Sequence, residues 1–273
     1  MNKLLKIFTI LVFAFLYLPI LLLILASFNS GASLAAFSGA TFYNYAELFA
    51  DDDLIGLMLN SILISVLAAA LATVLGTAAA LGIFRMRKPV RKLILNATNI
   101  PITNPDIVTG ISLSLLFAFV GRLLRIESVL GFTTLLLAHV TFNLPYVILS
   151  VMPKLRQLNP SLNEAALDLG YTPIQAFFKA ILPEIMPGIL TGAMTAFTMS
   201  LDDFVISYFV YGPEFSTLPI EIYNYTKKPV PPKIYALFTL TFFALLLIMI
   251  AMNLLQIRDE KRRNRAFDKV STR

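Results

Sequence analysis

From Ile7 to Phe28 the chain reads IFTILVFAFLYLPILLLILASF, and none of these residues is charged. An α-helix needs about 20 mostly apolar residues to cross a hydrocarbon core about 30 Å thick, so this stretch is long enough. Lys3 and Lys6 precede it, as the basic residues at the start of a secretory signal peptide precede its apolar part. Its apolar part is longer than that of a signal peptide, however, and no clear small-residue cleavage site follows. The stretch therefore predicts a first transmembrane helix that is not cleaved.

Five further stretches have a similar length and apolar character. A soluble domain carries about 25% charged residues, because its surface must face water. This chain is 14% charged and 58% hydrophobic, so most of its surface faces an apolar medium. We predict an all-α membrane protein of six transmembrane helices, with a single domain over residues 1–273. The five further helices are predicted at Met58–Phe84, Leu93–Val120, Val129–Met152, Pro183–Val210 and Ile234–Ile257.

The composition excludes several kinds of site. The chain has no cysteine, which rules out disulfides and thiolate metal sites, and its single histidine rules out histidine-rich metal sites. We expect this residue, His139, to be packed or hydrogen-bonded within a helix rather than to bind a ligand. The net charge of +6 comes from residues between the apolar runs, which indicates membrane topology rather than nucleic-acid binding.

The basic residues indicate which side of the membrane each loop occupies. If the amino terminus is cytoplasmic, all but five of the 22 Lys and Arg residues lie on the cytoplasmic side. The first outer loop, Asn29–Leu57, has no Lys or Arg and carries four acidic residues. Because basic loops resist translocation, we predict a bacterial inner-membrane protein with both termini in the cytoplasm.

The cytoplasmic segment Pro153–Leu182 is long enough to fold between two spans. Asn159 and Pro160 read as a helix cap followed by a proline that starts a helix. Gly170 can supply the left-handed turn that ends this helix. The segment therefore predicts a short helix, a tight turn and a second helix.

The second helix of this segment is predicted to begin after Thr172, with Gln175 placed to complete a capping box. Pro183 marks the start of the fifth span. Two short helices have no core of their own, so their apolar side chains must pack on the ends of the chain's own spans or on a soluble partner. The residues alone leave both alternatives open. The apolar side chains are those of Leu162, Leu167, Tyr171, Ile174, Phe177 and Phe178.

Three carboxylates lie within predicted spans, where a charge costs roughly 2.5–3.5 kcal/mol at mid-bilayer. Asp106 follows Pro105 and either begins a restarted helix or has a functional role. Asp202 and Asp203 are adjacent in the fifth span, where a pair of acids near a pore suits a cationic substrate. The alternative for this pair is a salt bridge to a neighbouring subunit.

Aromatic and acidic side chains also occur together in the last outer loop. Aromatic faces and carboxylates together hold amines through cation–π and ionic contacts. An aromatic belt at the membrane interface has the same composition without any ligand, and both interpretations remain open. The residues are Tyr208, Tyr211, Glu214, Phe215, Glu221, Tyr223 and Tyr225.

The cytoplasmic segment resembles the EAA loop of ABC importer permeases. The resemblance consists of Glu164-Ala165-Ala166, then Gly170 at the family's spacing, then Ile181-Leu182-Pro183 before the penultimate span. In that family the short helix docks into a cytoplasmic ATPase. The resemblance therefore implies that an ATPase subunit contacts this segment, through Glu164, Ala165, Ala166, Gly170, Leu182 and Pro183.

ATP hydrolysis is assigned to another polypeptide. The sequence contains no G-x-x-x-x-G-K-[ST] phosphate loop, because no glycine in it precedes a lysine. We therefore expect a transport subunit rather than an enzyme. ATP and Mg²⁺ are expected on the partner ATPase, with no cofactor bound by this chain.

A more specific resemblance extends over nearly the whole chain, to the spermidine/putrescine permeases of the PotC type. It implies a type I importer fold and a pathway for polyamines past Asp106, Asp202 and Asp203. It also implies a second homologous permease subunit, an ATPase dimer and an extracytoplasmic polyamine-binding protein as partners, with membrane lipid around the helices. The similar stretches are Asn104–Ile107, His139–Pro145, Ser200–Asp203, Gly212-Pro213 and Leu218–Tyr223.

Two competing hypotheses change the cargo or the class. An ABC permease could instead carry ferric ion, thiamine or a phosphonate, and a neighbouring gene for an acidic, aromatic-lined binding protein would favour polyamine. An ion-driven secondary transporter would work alone, often with inverted repeats. We find no convincing repeat in the sequence, and an EAA-like loop has no role in such a carrier.

Overall fold

The structure, a computed structural model, describes residues 3–31, 36–126, 129–159, 161–227 and 230–271. The elements in this part of the chain are helical. They are α1 (Lys3–Ser27), α2 (Tyr43–Phe49), α3 (Asp52–Arg85), α4 (Lys88–Thr103), α5 (Asp106–Leu124), α6 (Phe132–Gln157), α7 (Ser161–Asp168), α8 (Pro173–Ala176), a π-helical segment (Phe177–Ile181), α9 (Leu182–Leu201), α10 (Val205–Val210), α11 (Leu218–Tyr225) and α12 (Pro232–Ser271).

Six helices in the described residues are long and apolar enough to cross a membrane. Five of them are α1, α3, α5, α6 and the first half of α12. The sixth is the continuous helix Pro173–Leu201, which joins α8, the π-helical segment and α9. The six transmembrane helices and the all-α class predicted from the sequence are therefore confirmed.

The third predicted span is divided into two helices. The sequence predicts a helix over Leu93–Val120, with a break before Asp106 as one alternative, and the structure contains this break between α4 and α5. Asn104 adopts an extended backbone with ψ of 138°. Pro105 forces this change, because a proline has no amide to donate and excludes the helical conformation from the residue before it.

The fifth span ends earlier than the sequence predicts. The predicted helix covers Pro183–Val210, whereas α9 and α10 are separate helices. The carboxylate of Asp203 accepts hydrogen bonds from the backbone amides of Ile206 (3.3 Å) and Ser207 (2.7 Å), and so caps α10. An aspartate that binds amides three and four residues ahead starts a new helix instead of continuing the old one. Asp202 and Asp203 therefore lie in a break and not inside a helix.

One compact unit comprises Met1–Gly56 and Asn224–Arg273. Within it, α1 and α2 pack against α12. Lys233, in the first turn of α12, forms ion pairs with Asp51 (3.0 Å) and Glu47 (3.4 Å). A hydrogen bond from the backbone of the first turn of α3, together with the Lys233 ammonium, holds the pKa of Asp51 below its usual value. These contacts hold α2 and the residue before α3 close to the start of α12.

The other compact unit comprises Leu57–Tyr223 and carries the carboxylates and the cytoplasmic segment discussed above. Its largest core lies where α3, α4, α6 and α9 meet, and it includes Ala72, Ala80, Leu95, Val147, Val151, Leu155 and Ile185. The single domain over residues 1–273 stays a prediction.

Close packing of α9 on α6 depends on two glycines. A Cβ atom at Gly188 would lie 2.8 Å from the carbonyl oxygen of Ser150, and one at Gly192 would lie 3.1 Å from Cα of Val147. Small residues on one helix face let two backbones approach in this way. These glycines therefore have a packing role within the chain.

We expect Gly188→Ala to lower the thermal unfolding midpoint of the purified protein, because the new methyl group collides with backbone atoms of α6. Overpacking of this kind costs roughly 1–3 kcal/mol. Gly82→Ala is the matched control, since a Cβ there meets no atom within 4 Å among the described residues. Equal midpoints for the two variants would contradict the packing role.

Candidate transport and coupling sites

The segment after α6 folds as the predicted helix–turn–helix. It begins later than the predicted Pro153, because α6 continues to Gln157. The Asn159 side chain accepts hydrogen bonds from the amide (3.1 Å) and the hydroxyl (2.7 Å) of Ser161 at the start of α7. This confirms Asn159 as the cap of the first helix. The proposed helix-starting residue Pro160 lies outside the described residues.

Gly170 ends α7 in the predicted left-handed conformation, with φ of +85°. Its amide donates to the carbonyl of Leu167 (2.9 Å), and the amide of Tyr171 donates to the carbonyl of Ala166 (3.2 Å). This pair of bonds is a Schellman motif, which satisfies carbonyls at the end of a helix. Any residue with a Cβ would be strained at this position.

The helix that follows starts with the predicted capping box. Thr172 Oγ1 accepts from the amide of Gln175 (3.4 Å), and Gln175 Oε1 accepts from the amide of Thr172 (3.0 Å). The helix then widens into the π-helical segment, where the amide of Leu182 donates to the carbonyl of Phe177. Pro183, which has no amide to donate, follows this segment in the first turn of α9. The segment thus continues directly into the fifth span.

The two short helices present an apolar surface that is exposed in the chain. We call it the α7–α8 surface. Leu169 is 79% exposed, Ile174 72% and Phe178 59%. Glu164 and Ala165 are also exposed, whereas Ala166 is buried. Leu169 was not predicted as part of this surface, although its place directly before the terminating glycine was an available signal. The α7–α8 surface consists of Leu167, Leu169, Tyr171, Ile174 and Phe178.

At the break between α9 and α10, Asp203 belongs to a largely buried hydrogen-bond network. Its Oδ2 atom accepts from the hydroxyl of Ser207 (2.7 Å) and lies 3.5 Å from Nε2 of His139. His139 is fully buried in α6 and is hydrogen-bonded to Ser200 at the end of α9 and to Ser207 of α10. This agrees with the expectation of a hydrogen-bonded helix residue. His139 thus connects both sides of the break to α6.

The network also determines the protonation of the histidine ring. The hydroxyl of Ser207 donates its only proton to Asp203, so it must accept from Nε2 of His139. The other ring nitrogen, Nδ1, then accepts from the hydroxyl of Ser200. Each polar group has a partner in this arrangement with a neutral ring.

We expect His139→Ala to lower the unfolding midpoint and the yield of the folded protein. The change removes the imidazole partner of the Ser200 hydroxyl and leaves the Ser207 hydroxyl with Asp203 alone, and each hydrogen bond lost in this buried site costs roughly 1–3 kcal/mol. Thermal unfolding in detergent measures the effect. Thr141→Ala on the exposed face of α6 is the control, and it should unfold like the wild type.

The other two predicted carboxylates are exposed. Asp202 directly follows α9 and precedes the buried Asp203. Asp106 lies in the first turn of α5, next to the first helix break. α5 packs against α10, where a Cβ atom on Gly110 would lie 3.3 Å from Cα of Ile206. Asp106, one turn before Gly110, and Asp203, which caps α10, therefore lie on neighbouring helices that are far apart in sequence.

Aromatic side chains lie beside this group. Phe204 stacks on Tyr223, with 4.3 Å between ring centroids, and Tyr208 contacts both rings at 5.5 and 5.9 Å. Tyr211 lies 6.0 Å from Tyr208. The helix break and the following loop thus form an aromatic cluster that begins two residues after Asp202. Phe204 was not predicted, although its position after two aspartates was a signal.

The sequence of this chain matches a known protein family. Residues 72–264 match the family described as "Binding-protein-dependent transport system inner membrane component". The chain belongs to this family.

Relatives of this transport-system component match it nearly end to end. The putrescine transport system permease protein PotI of Escherichia coli (strain K12) is 40% identical over 258 residues, covering 93% of this chain and 90% of the relative. The spermidine/putrescine transport system permease protein PotC of the same strain is 36% identical over 253 residues, covering 93% of each.

Solved structures show the same fold at lower identity. A chain of a bacterial ABC transporter involved in the import of the acidic polysaccharide alginate has a TM-score of 0.73 at 19% identity, with 92% of each chain covered. A chain of the MetNI methionine ABC transporter has a TM-score of 0.59 at 16% identity and covers 76% of this chain and 95% of its own length. The type I importer permease fold predicted from the sequence is therefore confirmed.

Proposed function

We propose that this chain is the permease subunit of an ATP-driven polyamine importer and forms half of the path across the inner membrane. The names of its putrescine and spermidine/putrescine relatives support this cargo. The observation that carries the proposal is the meeting of acidic and aromatic side chains at two helix breaks. Asp106 begins α5 and Asp203 caps α10, which packs against α5, and the exposed Asp202 lies two residues before Phe204 of the Phe204–Tyr223 stack.

The chemistry of this site suits an amine with several positive charges. Such a cation loses hydration when it enters a low-dielectric constriction, and nearby carboxylates and aromatic faces replace the lost interactions. Asp202 is exposed and makes the direct ionic contact in our proposal. Asp203 is held by backbone amides and by Ser207, so its role is to position the break. Asp106 adds negative charge from α5.

The helix breaks themselves support a path at this place. Inside a membrane, non-helical backbone is tolerated only where it is buried in protein or lines a polar cavity. Transporters place broken helices at their substrate sites for this reason. Both breaks in this unit carry carboxylates, at Asp106 and at Asp202-Asp203. A path beside them explains the breaks and the charges together.

The α7–α8 surface contacts the ATPase in our proposal. Its exposed leucine, isoleucine and aromatic side chains are suited to fill an apolar cleft, and Glu164 and Ala165 are exposed beside them. Gly170 fixes the turn between the helices, while Leu182 and Pro183 join the element to the fifth span. Movement of the ATPase would thus reach Asp202 along α9. ATP binds with Mg²⁺ to the partner, which hydrolyses the ATP.

The assembly contains further partners in this proposal. A second homologous permease subunit completes the path, and an extracytoplasmic binding protein delivers the polyamine. Both termini of this chain lie in the cytoplasm, which places the basic loops and the α7–α8 surface on the ATPase side.

Co-purification tests the proposal. The chain is expressed with the products of its neighbouring genes and isolated from membranes under mild detergent. We expect an ATPase and a second permease in the complex, with ATP hydrolysis stimulated by binding protein loaded with putrescine or spermidine. Isolation of a lone chain that transports without an ATPase would contradict the proposal, as would stimulation by thiamine, phosphonate or ferric ion in place of polyamine.

A further inference from the structure

A basic cavity of about 660 Å³ lies between the beginning of α4 and the end of α6. Lys88, Arg91 and Lys92 line it from α4, and Arg156 lines it from α6. Asn96 and Asn99 add amide groups. No acidic side chain is among its lining residues in the described part of the chain. This cavity has no role in the proposed passage of a cation.

The four cations have no countercharge within the part of the chain that the structure describes. No ion pair there involves Lys88, Arg91, Lys92 or Arg156, so like charges face one cavity without compensation. Arg91 is held in place by the carbonyl of Phe84 (3.3 Å) and by the ring of the same residue (5.8 Å). Most of its five N–H donors stay available for a ligand.

The position of three of these cations at the start of a helix is electrostatically unfavourable. The amino-terminal end of a helix already carries a partial positive charge, and basic residues there are unfavourable. The first turn of α4 has no acidic residue and three of the four cavity cations lie near it. The rule that basic loops stay in the cytoplasm explains on which side of the membrane these four residues lie. It does not explain why basic side chains from two helices line the same cavity. A bound anion would offset both the repulsion among the four cations and the unfavourable position of three of them at the start of α4.

We propose that this cavity binds the phosphate group of an anionic phospholipid in the cytoplasmic leaflet. Basic pockets between transmembrane helices on this side recognise such headgroups. Leu95, Leu149 and Met152 give the cavity an apolar part, which suits the glycerol and upper acyl chain next to a phosphate. The inference requires the proposed orientation of the chain but no particular cargo.

Native mass spectrometry of the intact complex tests the inference. The complex is released from nanodiscs that contain phosphatidylglycerol and phosphatidylcholine in equal parts. Arg91→Gln/Lys92→Gln removes two cavity charges, and Arg85→Gln/Arg87→Gln removes two charges from the same loop outside the cavity lining. We expect the wild type and the loop control to retain phosphatidylglycerol, and the cavity variant to bind it at least tenfold more weakly.

Two further arms keep the inference falsifiable. Arg156→Gln removes a charge from α6 alone, and it replaces the double variant in the test if the double variant fails to assemble. It should also weaken phosphatidylglycerol binding. Inorganic phosphate at millimolar concentration should not displace the lipid. Equal lipid retention in the cavity and loop variants would overturn the inference, and so would preferential retention of phosphatidylcholine. Displacement by free phosphate would overturn the lipid assignment in favour of a soluble phosphate compound.

Discussion

Asp202→Asn is expected to reduce polyamine uptake at least tenfold, while the amount of assembled complex stays unchanged. The substitution keeps the shape of the side chain and removes its charge. Asp202 is exposed and lies two residues before Phe204 of the aromatic cluster, so its carboxylate can replace part of the hydration that an amine loses. A tenfold reduction corresponds to about 1.4 kcal/mol in the relevant barrier. Uptake of radiolabelled putrescine and spermidine by vesicles measures the effect.

The variant Asp203→Asn distinguishes the role of Asp203 from that of Asp202. Asp203 caps α10 and accepts from Ser207, so its replacement by an amide disrupts bonds that hold the break. We expect less assembled complex and a lower unfolding midpoint, in contrast to the Asp202 variant. Asp106→Asn should reduce uptake without loss of assembly. If Asp202→Asn transports like the wild type while Asp203→Asn assembles fully and does not transport, the two roles are reversed. Failure of the Asp202 variant to assemble would favour an inter-subunit salt bridge.

Leu169→Asp is expected to weaken ATPase binding at least tenfold and to abolish polyamine-stimulated hydrolysis. Leu169 and Ile174 are the most exposed side chains of the α7–α8 surface. A carboxylate in an apolar interface must lose its hydration without gaining a partner. The ratio of ATPase to permease in purified complexes measures binding. Asn163→Asp adds the same charge at an exposed position of α7 and serves as the control.

Two related variants extend this test. Glu164→Lys reverses a charge beside the surface, and Gly170→Asp places a Cβ at φ of +85°, which costs roughly 1 kcal/mol and shifts the turn. Both should leave the chain inserted in the membrane but weaken ATPase binding or uncouple hydrolysis from uptake. Normal coupling in Leu169→Asp, Glu164→Lys and Gly170→Asp alike would show that the ATPase docks elsewhere.

Much of this architecture follows from short-range rules and could be predicted. Length and hydropathy identify the six spans, because a membrane imposes one thickness on every crossing helix. The caps at Asn159 and Thr172 and the glycine turn at Gly170 depend on residues within about five positions. Each was predicted from the sequence and appears in the structure.

The features that escaped prediction depend on contacts between distant residues. The apolar run through Asp202 is predicted as one helix, whereas the break is held by His139 of α6, which is hydrogen-bonded to Ser200 and Ser207 on its two sides. These bonds connect residues 61 and 68 positions apart. The basic cavity likewise requires α4 and α6 to lie together. Hydropathy and spacing contain no information on such pairings.

Reconstituted uptake is the most direct test of the central claim. The complex, with its second permease, ATPase and binding protein, is placed in proteoliposomes with ATP on the ATPase side, and entry of radiolabelled putrescine and spermidine is followed. Our account predicts uptake that requires ATP and the binding protein, and that falls at least tenfold with Asp202→Asn. Polyamine uptake without ATP, or an active complex that transports only another solute, would contradict it.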